Sequence, residues 1–159
     1  MKKIVLISDN HYNLNVVKKI YFANQDADYY LHCGDSELKP EDLFPFASVR
    51  GNNDYGFDFP LQKHLNIEGN DILMLHGHRY VAALYYDMLL RKAKEENVKV
   101  VFFGHTHAFC NQIIDGVHLI NPGSCNHNRD GSEPTYAIVT IDGNNINVEK
   151  KLVSEVEVI

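Results

Sequence analysis

The stretch Val100-Val101-Phe102-Phe103-Gly104-His105-Thr106-His107 constrains this chain most. It begins as an uninterrupted apolar run, which is how a strand covered on both faces reads. It stops at a glycine followed by two histidines spaced i, i+2. On an extended backbone such side chains leave the same face, with Cα atoms about 6.5–7 Å apart. The two imidazoles are therefore expected to project in parallel from the carboxyl end of a buried strand, where they could hold one metal or two adjacent ones. A polar turn that happens to contain two histidines is the plainer alternative, and the pair alone does not decide.

The same arrangement recurs along the chain. Lys3 to Ile7 reads as a buried strand and ends in Ser8-Asp9-Asn10-His11. Leu14, Val17, Ile20 and Tyr21 then fall at helical spacing, predicting a helix within Asn13 to Asn24. Tyr29 to His32 reads as a second strand, ending in Cys33-Gly34-Asp35. In open α/β sheets ligands bind beyond the carboxyl ends of strands, although an Asp there is also an ordinary loop cap. Pro40 to Phe46 reads as a short helical or irregular crossover. Ala47 to Arg50 is a brief strand running into Gly51-Asn52-Asn53-Asp54, a composition that usually marks a turn.

His64 to Glu68 and Asp71 to Leu75 read as a hairpin about Gly69-Asn70, ending in His76-Gly77-His78. Val81, Leu84, Tyr85, Met88 and Leu89 recur at i, i+3, i+4, i+7, i+8, predicting an amphipathic helix with a charged end at Arg91 to Glu96. Its aromatic and methionine stripe is expected in the core. Phe109 to Ile114 and Val117 to Ile120 pair across Asp115-Gly116, and Asn121-Pro122-Gly123-Ser124 breaks the hairpin. Cys125 to Pro134 is expected to be a surface loop. Thr135 to Ile141 and Asn145 to Val153 form a last hairpin about Gly143-Asn144. With βα alternation early and hairpins late, the expected class is α/β (α+β). Two packed mixed sheets flanked by helices would form one domain over residues 1–159.

Composition narrows the function classes. The net charge is −6 and there is no Lys/Arg block, so the footprint of a nucleic-acid binder is missing. An anionic substrate stays open, because bound cations invert a local field. The three cysteines lack CxxC spacing and read as reduced thiols of a cytoplasmic protein. The apolar run after Met1-Lys2-Lys3 is too short for a signal peptide, and no run approaches the ~20 residues of a membrane span.

Asp9, His11, Asp35, Asn52, His76, His105 and His107 all lie where an apolar run meets a loop. Each offers N or O to a borderline-hard divalent ion, and no thiolate stands among them, unlike many structural zinc sites. They are too many for one tetrahedral site and suit two metals sharing a bridging carboxylate. Such a pair, ~3.5–4 Å apart, clamps the attacking and leaving oxygens of an in-line displacement at phosphorus. It also lowers the pKa of a bound water from ~15.7 to roughly 7, supplying a nucleophile without Ser or Cys.

The order of Asp9-x-His11, Gly34-Asp35, Gly51-Asn52-x-Asp54, His76-Gly77-His78 and Gly104-His105-Thr106-His107 resembles the calcineurin-like metallophosphoesterase superfamily. The likeness is to its small single-domain bacterial and archaeal phosphodiesterase branch. It spans nearly the whole chain, and Asn121 to Ser124 looks like that branch as well. The resemblance implies a four-layer α/β/β/α sandwich with a dinuclear metal centre. Asp9, His11 and His107 would hold one ion, Asn52, His76 and His105 the other, and Asp35 would bridge. Manganese is the first expectation, with nickel, iron or zinc as alternatives. The implied activity is metal-dependent hydrolysis of a small-molecule phosphate diester by a dinuclear-metal-bound hydroxide. The alternatives are a phosphomonoesterase of the same fold and a non-catalytic scaffold like the retromer's phosphoesterase-like subunit. Related proteins often form dimers or tetramers, so a homo-oligomer is compatible.

Two positions depart from the family pattern. Asn53 stands where many members carry a His that assists the leaving group, and an amide offers only a hydrogen bond. Tyr12 stands where a Gly commonly follows Asp-x-His. His78 is a candidate to touch the substrate phosphate, and Asp54 is expected to orient a metal-bound His from behind. His32 reads as a packed strand residue. His64, His118 and His127 read as surface or structural, and Arg129 as a solvated loop charge.

Overall fold

The computed structural model describes residues 1–82 and 85–157. In chain order the strands and helices are β1 (Lys2–Ile7), α1 (Leu14–Ala23), β2 (Tyr29–His32), α2 (Pro40–Leu43), β3 (Ala47–Ser48), β4 (Gln62–Ile67), β5 (Asn70–Leu75), α3 (Asp87–Glu95), β6 (Val100–Phe102), β7 (Phe109–Ile114), β8 (Val117–Pro122), β9 (Thr135–Asp142) and β10 (Asn145–Leu152). They form two five-stranded mixed sheets, ordered β10-β9-β1-β2-β3 and β4-β5-β6-β8-β7. β1, β2 and β3 run parallel, as do β5, β6 and β8, while the hairpin strands are antiparallel.

Alternation along buried strands builds the layers. Ile4 and Leu6 of β1 join Ile72, Met74, Val100 and Phe102 in the core between the sheets. Val5 and Ile7, on the other face of β1, pack against Val16, Val17 and Ile20 of α1 and Leu43 of α2. Val101 and Phe103 face Leu89, Leu90 and Ala93 of α3. Strands with both faces covered read as continuous apolar runs for this reason. The result is the four-layer α/β/β/α sandwich with helices outside.

Several boundaries follow from local chemistry. The Asn13 side chain accepts the Val16 N–H and caps α1. The β4–β5 turn is Glu68-Gly69, one residue earlier than the sequence suggests, with both residues at positive φ and Ile67 paired to Asn70. β8 runs on through Asn121 and Pro122, two residues past the predicted end. The loop after it is not wholly superficial, since Cys125 and Asn128 are buried.

The predicted helix from Val81 is the largest correction. The helix starts only at Asp87. Before it, the N–H groups of Tyr80 and Val81 both donate to the Gly77 carbonyl and Tyr85 N–H donates to Ala82, closing tight turns instead of an i→i−4 ladder. Tyr85 and Met88 are exposed, so the aromatic and methionine stripe is not core. Leu84, also counted in that stripe, lies outside the described residues.

Candidate metal centre

The loops leaving β1, β2, β3, β5 and β6 converge at one end of the sandwich. The first two are laced together: Asp9 N–H donates to Gly34 O at 3.0 Å, His11 N–H to Asp35 O at 3.1 Å and Tyr12 N–H to Ser36 O at 2.8 Å. Gly104 N–H donates to His76 O at 3.0 Å, joining the loops after β5 and β6. Ser124 Oγ donates to Asp9 O at 2.7 Å, and Asn121 Nδ2 donates to Gly104 O and Thr106 Oγ1. The Asn121–Ser124 segment thus braces the Asp9 and His105 loops from below.

Asp9, Asp35, His76 and His107 are buried. Asp9 Oδ1 lies 3.3 Å from His107 Nε2, 3.7 Å from His11 Nε2 and 3.8 Å from His76 Nε2. Asp35 Oδ2 lies 3.3 Å from His76 Nε2. Two groups fall within metal-ligating range of one another: Asp9, His11 and His107, and Asp9, Asp35 and His76. The first is the triad expected from the sequence. The second puts Asp9 in both groups, where the sequence reading gave the bridging place to Asp35 alone.

Asn52 and His105 stand beside the second group. His105 Nδ1 is 3.2 Å from Asn52 Oδ1, and its ring centroid is 5.2 Å from that of His76. His105 and His107 do not project in parallel, because both have positive φ (70° and 54°) and turn the chain off the extended path. The turn sends His107 to Asp9 and His11, and His105 to Asn52 and His76.

Two observations test whether these residues suit a cation. Asp9 Oδ1 and His76 Nε2 are buried polar atoms with no hydrogen-bond partner, a condition that costs roughly 1–3 kcal/mol per group. Behind the site, His76 Nδ1 contacts Cys33 O at 2.8 Å and His107 Nδ1 contacts His127 O at 2.8 Å. A carbonyl accepts only, so both Nδ1 atoms carry the proton when the rings are neutral, and each Nε2 then turns a lone pair inward. His11 Nδ1 meets Glu37 Oε2 at 3.0 Å in the same way. His11 Nε2 and His107 Nε2 are then 2.9 Å apart, a spacing that two bare lone pairs do not tolerate. A cation between these donors satisfies all of them. Among the described residues no cysteine joins either group.

Ionisation follows the same geometry. Burial opposes charge on Asp9, yet His76 and His107 outweigh it and hold the carboxyl below its usual range. Asp35 is held well below that range despite its burial, by His76 and by hydrogen bonds from Asn53. Burial likewise opposes charge on His76, but Asp9 and Asp35 push it up to about 9. Burial and the charge of His76 lower His105, and burial with His76 and Arg79 lowers His78.

Some supporting residues differ from the sequence reading. Among the described residues Asp54 hydrogen-bonds no histidine; its carboxylate accepts the backbone N–H groups of Asp35 (2.9 Å), Glu37 (2.8 Å) and Gly51 (2.6 Å), pinning two loops together. Asn53 donates its backbone N–H and side-chain amide to the two oxygens of Asp35, each at 2.9 Å. His78 has a buried Nδ1 without a partner, 5.5 Å by ring centroids from His76. His32 is a packed strand residue, with Nε2 2.7 Å from Asn10 Oδ1 and Nδ1 accepting Gly34 N–H. Tyr12 is exposed beside the loop. Glu37 was missed, though a carboxylate two residues after Asp35 was there to be seen.

Two glycines make room for the carboxylates. A Cβ on Gly51 would collide with the side chain of Asp35, and one on Gly104 with Ser8 Oγ and Asp9 Oδ2. The glycines before Asn52 and His105 are thus steric conditions of the site.

Comparison with known proteins agrees with this fold. Residues 1–144 match the family described as the calcineurin-like phosphoesterase superfamily domain. The chain belongs to that superfamily. Its relatives include the probable metallophosphoesterase YsnB of Bacillus subtilis, 33% identical over an alignment of 144 residues that covers 87% of this chain and 84% of YsnB. The structure of a predicted phosphoesterase from Streptococcus pneumoniae superposes with a TM-score of 0.87 at 26% identity, covering 96% of this chain and 90% of that one. Two others share the fold alone. An archaeal phosphodiesterase has a TM-score of 0.71 at 24% identity, covering 93% and 99%. Vps29 from Entamoeba histolytica has a TM-score of 0.79 at 18% identity, covering 93% and 91%. Among the described residues no helix is long and apolar enough to cross a membrane.

Proposed function

We propose that this member of the superfamily is a phosphodiesterase using two divalent ions, with manganese the first candidate. The reading rests on one observation above the others: buried Asp9 Oδ1 and His76 Nε2 have no partner and face further Nε2 and carboxylate atoms. Asp9, His11 and His107 would hold one ion. His76, His105 and Asn52 would hold the other, with Asp35, and Asp9 by its shared position, between them. Bound there, the ions would neutralise charge on the phosphate and make water acidic enough to attack near neutral pH.

The chain's own part is positioning. The Cys33 and His127 carbonyls and Glu37 fix the orientation of three imidazoles, so Nε2 is presented without rearrangement. Asn53 holds both oxygens of Asp35, so it acts through the carboxylate and not as an acid to the leaving oxygen. His78, beside Asn52 in the same groove, would donate a hydrogen bond to a phosphate oxygen. Burial and the charges of His76 and Arg79 lower its pKa and so disfavour its charged form in the metal-free chain. Departure without a strong general acid suits ester leaving groups that are already good, or one neutralised by an ion.

The test is metal content with paired turnover. Protein purified without chelator should carry about two metals per chain and hydrolyse bis(p-nitrophenyl) phosphate faster than p-nitrophenyl phosphate with manganese. His76→Ala and Asp35→Ala should abolish both metal retention and turnover. Faster monoester hydrolysis would make it a phosphomonoesterase. Full metal loading without hydrolysis of either would make it a scaffold, and no metal uptake in excess manganese would refute the centre itself.

A further inference from the structure

Two grooves meet at the His105–Asn52 contact. One, of about 620 Å³, is lined by Arg50, Asn52, Tyr55, Asp58, His78 and Arg79 among others. The second, of about 800 Å³, includes His105, Tyr86, Ala108, Phe109, Ile114 and Arg129. Each lies within the roughly 300–1,000 Å³ of ordinary small-molecule sites. A monoester has one organic group and a diester two, so a centre with a groove on either hand has room for both arms.

The grooves differ in chemistry. The second presents the apolar and aromatic side chains of Tyr86, Ala108, Phe109 and Ile114, with a single guanidinium, Arg129, next to the carboxylate residue Asp130. The first carries two guanidinium groups, with Asp54 already committed to backbone N–H groups and Asp58 as its other carboxylate. Among the described residues neither Arg50 nor Arg79 takes part in an ion pair. Among the described residues the Arg50 side chain makes one hydrogen bond, from Nη2 to Phe57 O at 3.2 Å, which leaves its other guanidinium N–H groups for a ligand. Tyr55, on the same rim, is 81% exposed, an uncovered ring on a polar loop. Planar guanidinium forks match phosphate oxygens in pairs, and an exposed ring offers a stacking face.

Resting on the phosphodiesterase reading, we propose that the Arg50–Arg79 groove selects diesters in which one arm bears a second phosphate. Arg79 and Arg50 grip that phosphate and Tyr55 stacks on the arm between it and the scissile phosphorus. The other arm lies over Phe109 and Tyr86. The substrate class is therefore a nucleotide-like diester with an extra phosphomonoester on one side, and the arginines are specificity residues, not catalytic ones.

The test uses thymidine 3′,5′-bisphosphate and thymidine 5′-monophosphate as product-like probes, titrated calorimetrically in manganese buffer. The bisphosphate should bind about tenfold tighter to the native chain. Arg79→Gln, and Arg50→Gln with Arg79→Gln, should reduce that ratio to near one, and Asp58→Asn should raise it. The ratio should also shrink between 50 and 200 mM salt. Equal binding of the two probes by the native chain, or an advantage that survives the double substitution with unchanged thermal unfolding, overturns the proposal. Turnover of bis(p-nitrophenyl) phosphate, which carries no second phosphate, reports separately on the phosphodiesterase reading. Its loss with a preserved tenfold ratio would sink the catalysis and keep the groove.

Discussion

Left-handed backbone serves two ends of this molecule differently. In the hairpin turns it falls at Glu68-Gly69, Asp115-Gly116 and Gly143, exposed and with glycine in each pair. At the glycines it costs little, because they have no Cβ to clash, and the cost falls on only one exposed non-glycine residue in each of the first two turns, Glu68 and Asp115. At the candidate metal centre the same conformation falls on Asp9, His11, Tyr12, Asp35, Glu37, His105 and His107. None is a glycine, and each then costs roughly 1–2 kcal/mol. A turn needs only the backbone to reverse, whereas the centre needs the reversal and a ligating side chain at the same residue. The turns set a glycine beside Glu68 and Asp115, and the centre also has Gly34 and Gly77 at positive φ, but its ligating positions themselves cannot be glycine. Strain concentrated on chemistry-bearing residues is a mark of a site held in place by its surroundings.

The sharpest way to break this comparison is to place the same small change on both sides of it. Gly51→Ala and Gly104→Ala drive a methyl into the Asp35 and Asp9 carboxylates. Metal affinity, read by titration with manganese, should fall at least 100-fold, with turnover lost alongside. Gly69→Ala in the β4–β5 turn meets nothing within 4 Å. It should lower stability by only about 1 kcal/mol in urea unfolding and leave metal affinity within twofold. Equal outcomes at the two ends would remove the distinction.

Next in size is the brace. Asp54→Ala leaves three loop N–H groups without their acceptor, and roughly 3 kcal/mol of stability should go with them. Metal affinity should fall by about 10- to 100-fold, as for other residues that position ligands from behind. Asp54→Asn keeps one acceptor oxygen and should recover part of both, which a purely surface role would not show.

The smallest effects are in pH. His32 is buried, and burial lowers its pKa from 6.5 to about 4. The unfolded chain therefore binds a proton that the folded chain refuses, and stability is lost as pH falls from about 6.5 to about 4. Unfolding of native protein and His32→Gln should converge across that window, with no such trend in the variant. His76 carries the opposite sign. In the metal-free chain its pKa is about 9, so its contribution is complete below 6.5 and is lost as pH rises through about 9. Manganese must displace that proton. Apparent metal affinity should therefore climb with pH up to about 9, and calorimetry in buffers of different ionisation heat should show proton release.

Much of the architecture was legible because buried strands read as apolar runs and polar ligands can lie only at their ends. Val100 to Phe102 and Tyr29 to His32 are strands as the sequence suggests. Five of the seven metal candidates fall into two overlapping groups, with Asn52 and His105 beside them, because the strands carrying them share two facing sheets. What was hidden is where the chain leaves strand geometry. An i, i+2 rule for His105 and His107 holds on extended backbone and fails once both residues turn left-handed. The Val81-to-Leu89 periodicity matched a helix, but exposed Tyr85 and Met88 satisfy an apolar pattern without being buried. The Asp54 contacts are to backbone N–H groups, which no residue type announces.

The brace from Ser124 to Asp9 joins residues 115 apart, and the bond from His105 N–H to Asp9 spans 96. β1, which delivers Asp9, pairs along one edge with β9, near the far end of the chain. A ribosome must therefore release most of the polypeptide before the first ligand has its neighbours. Ions cannot act as a seed for folding here, as they do where ligands sit within a few residues of each other. On the proposed reading the ions would be fitted to a frame already folded, so a cell short of the metal should accumulate the folded empty form instead of degrading an unfolded one.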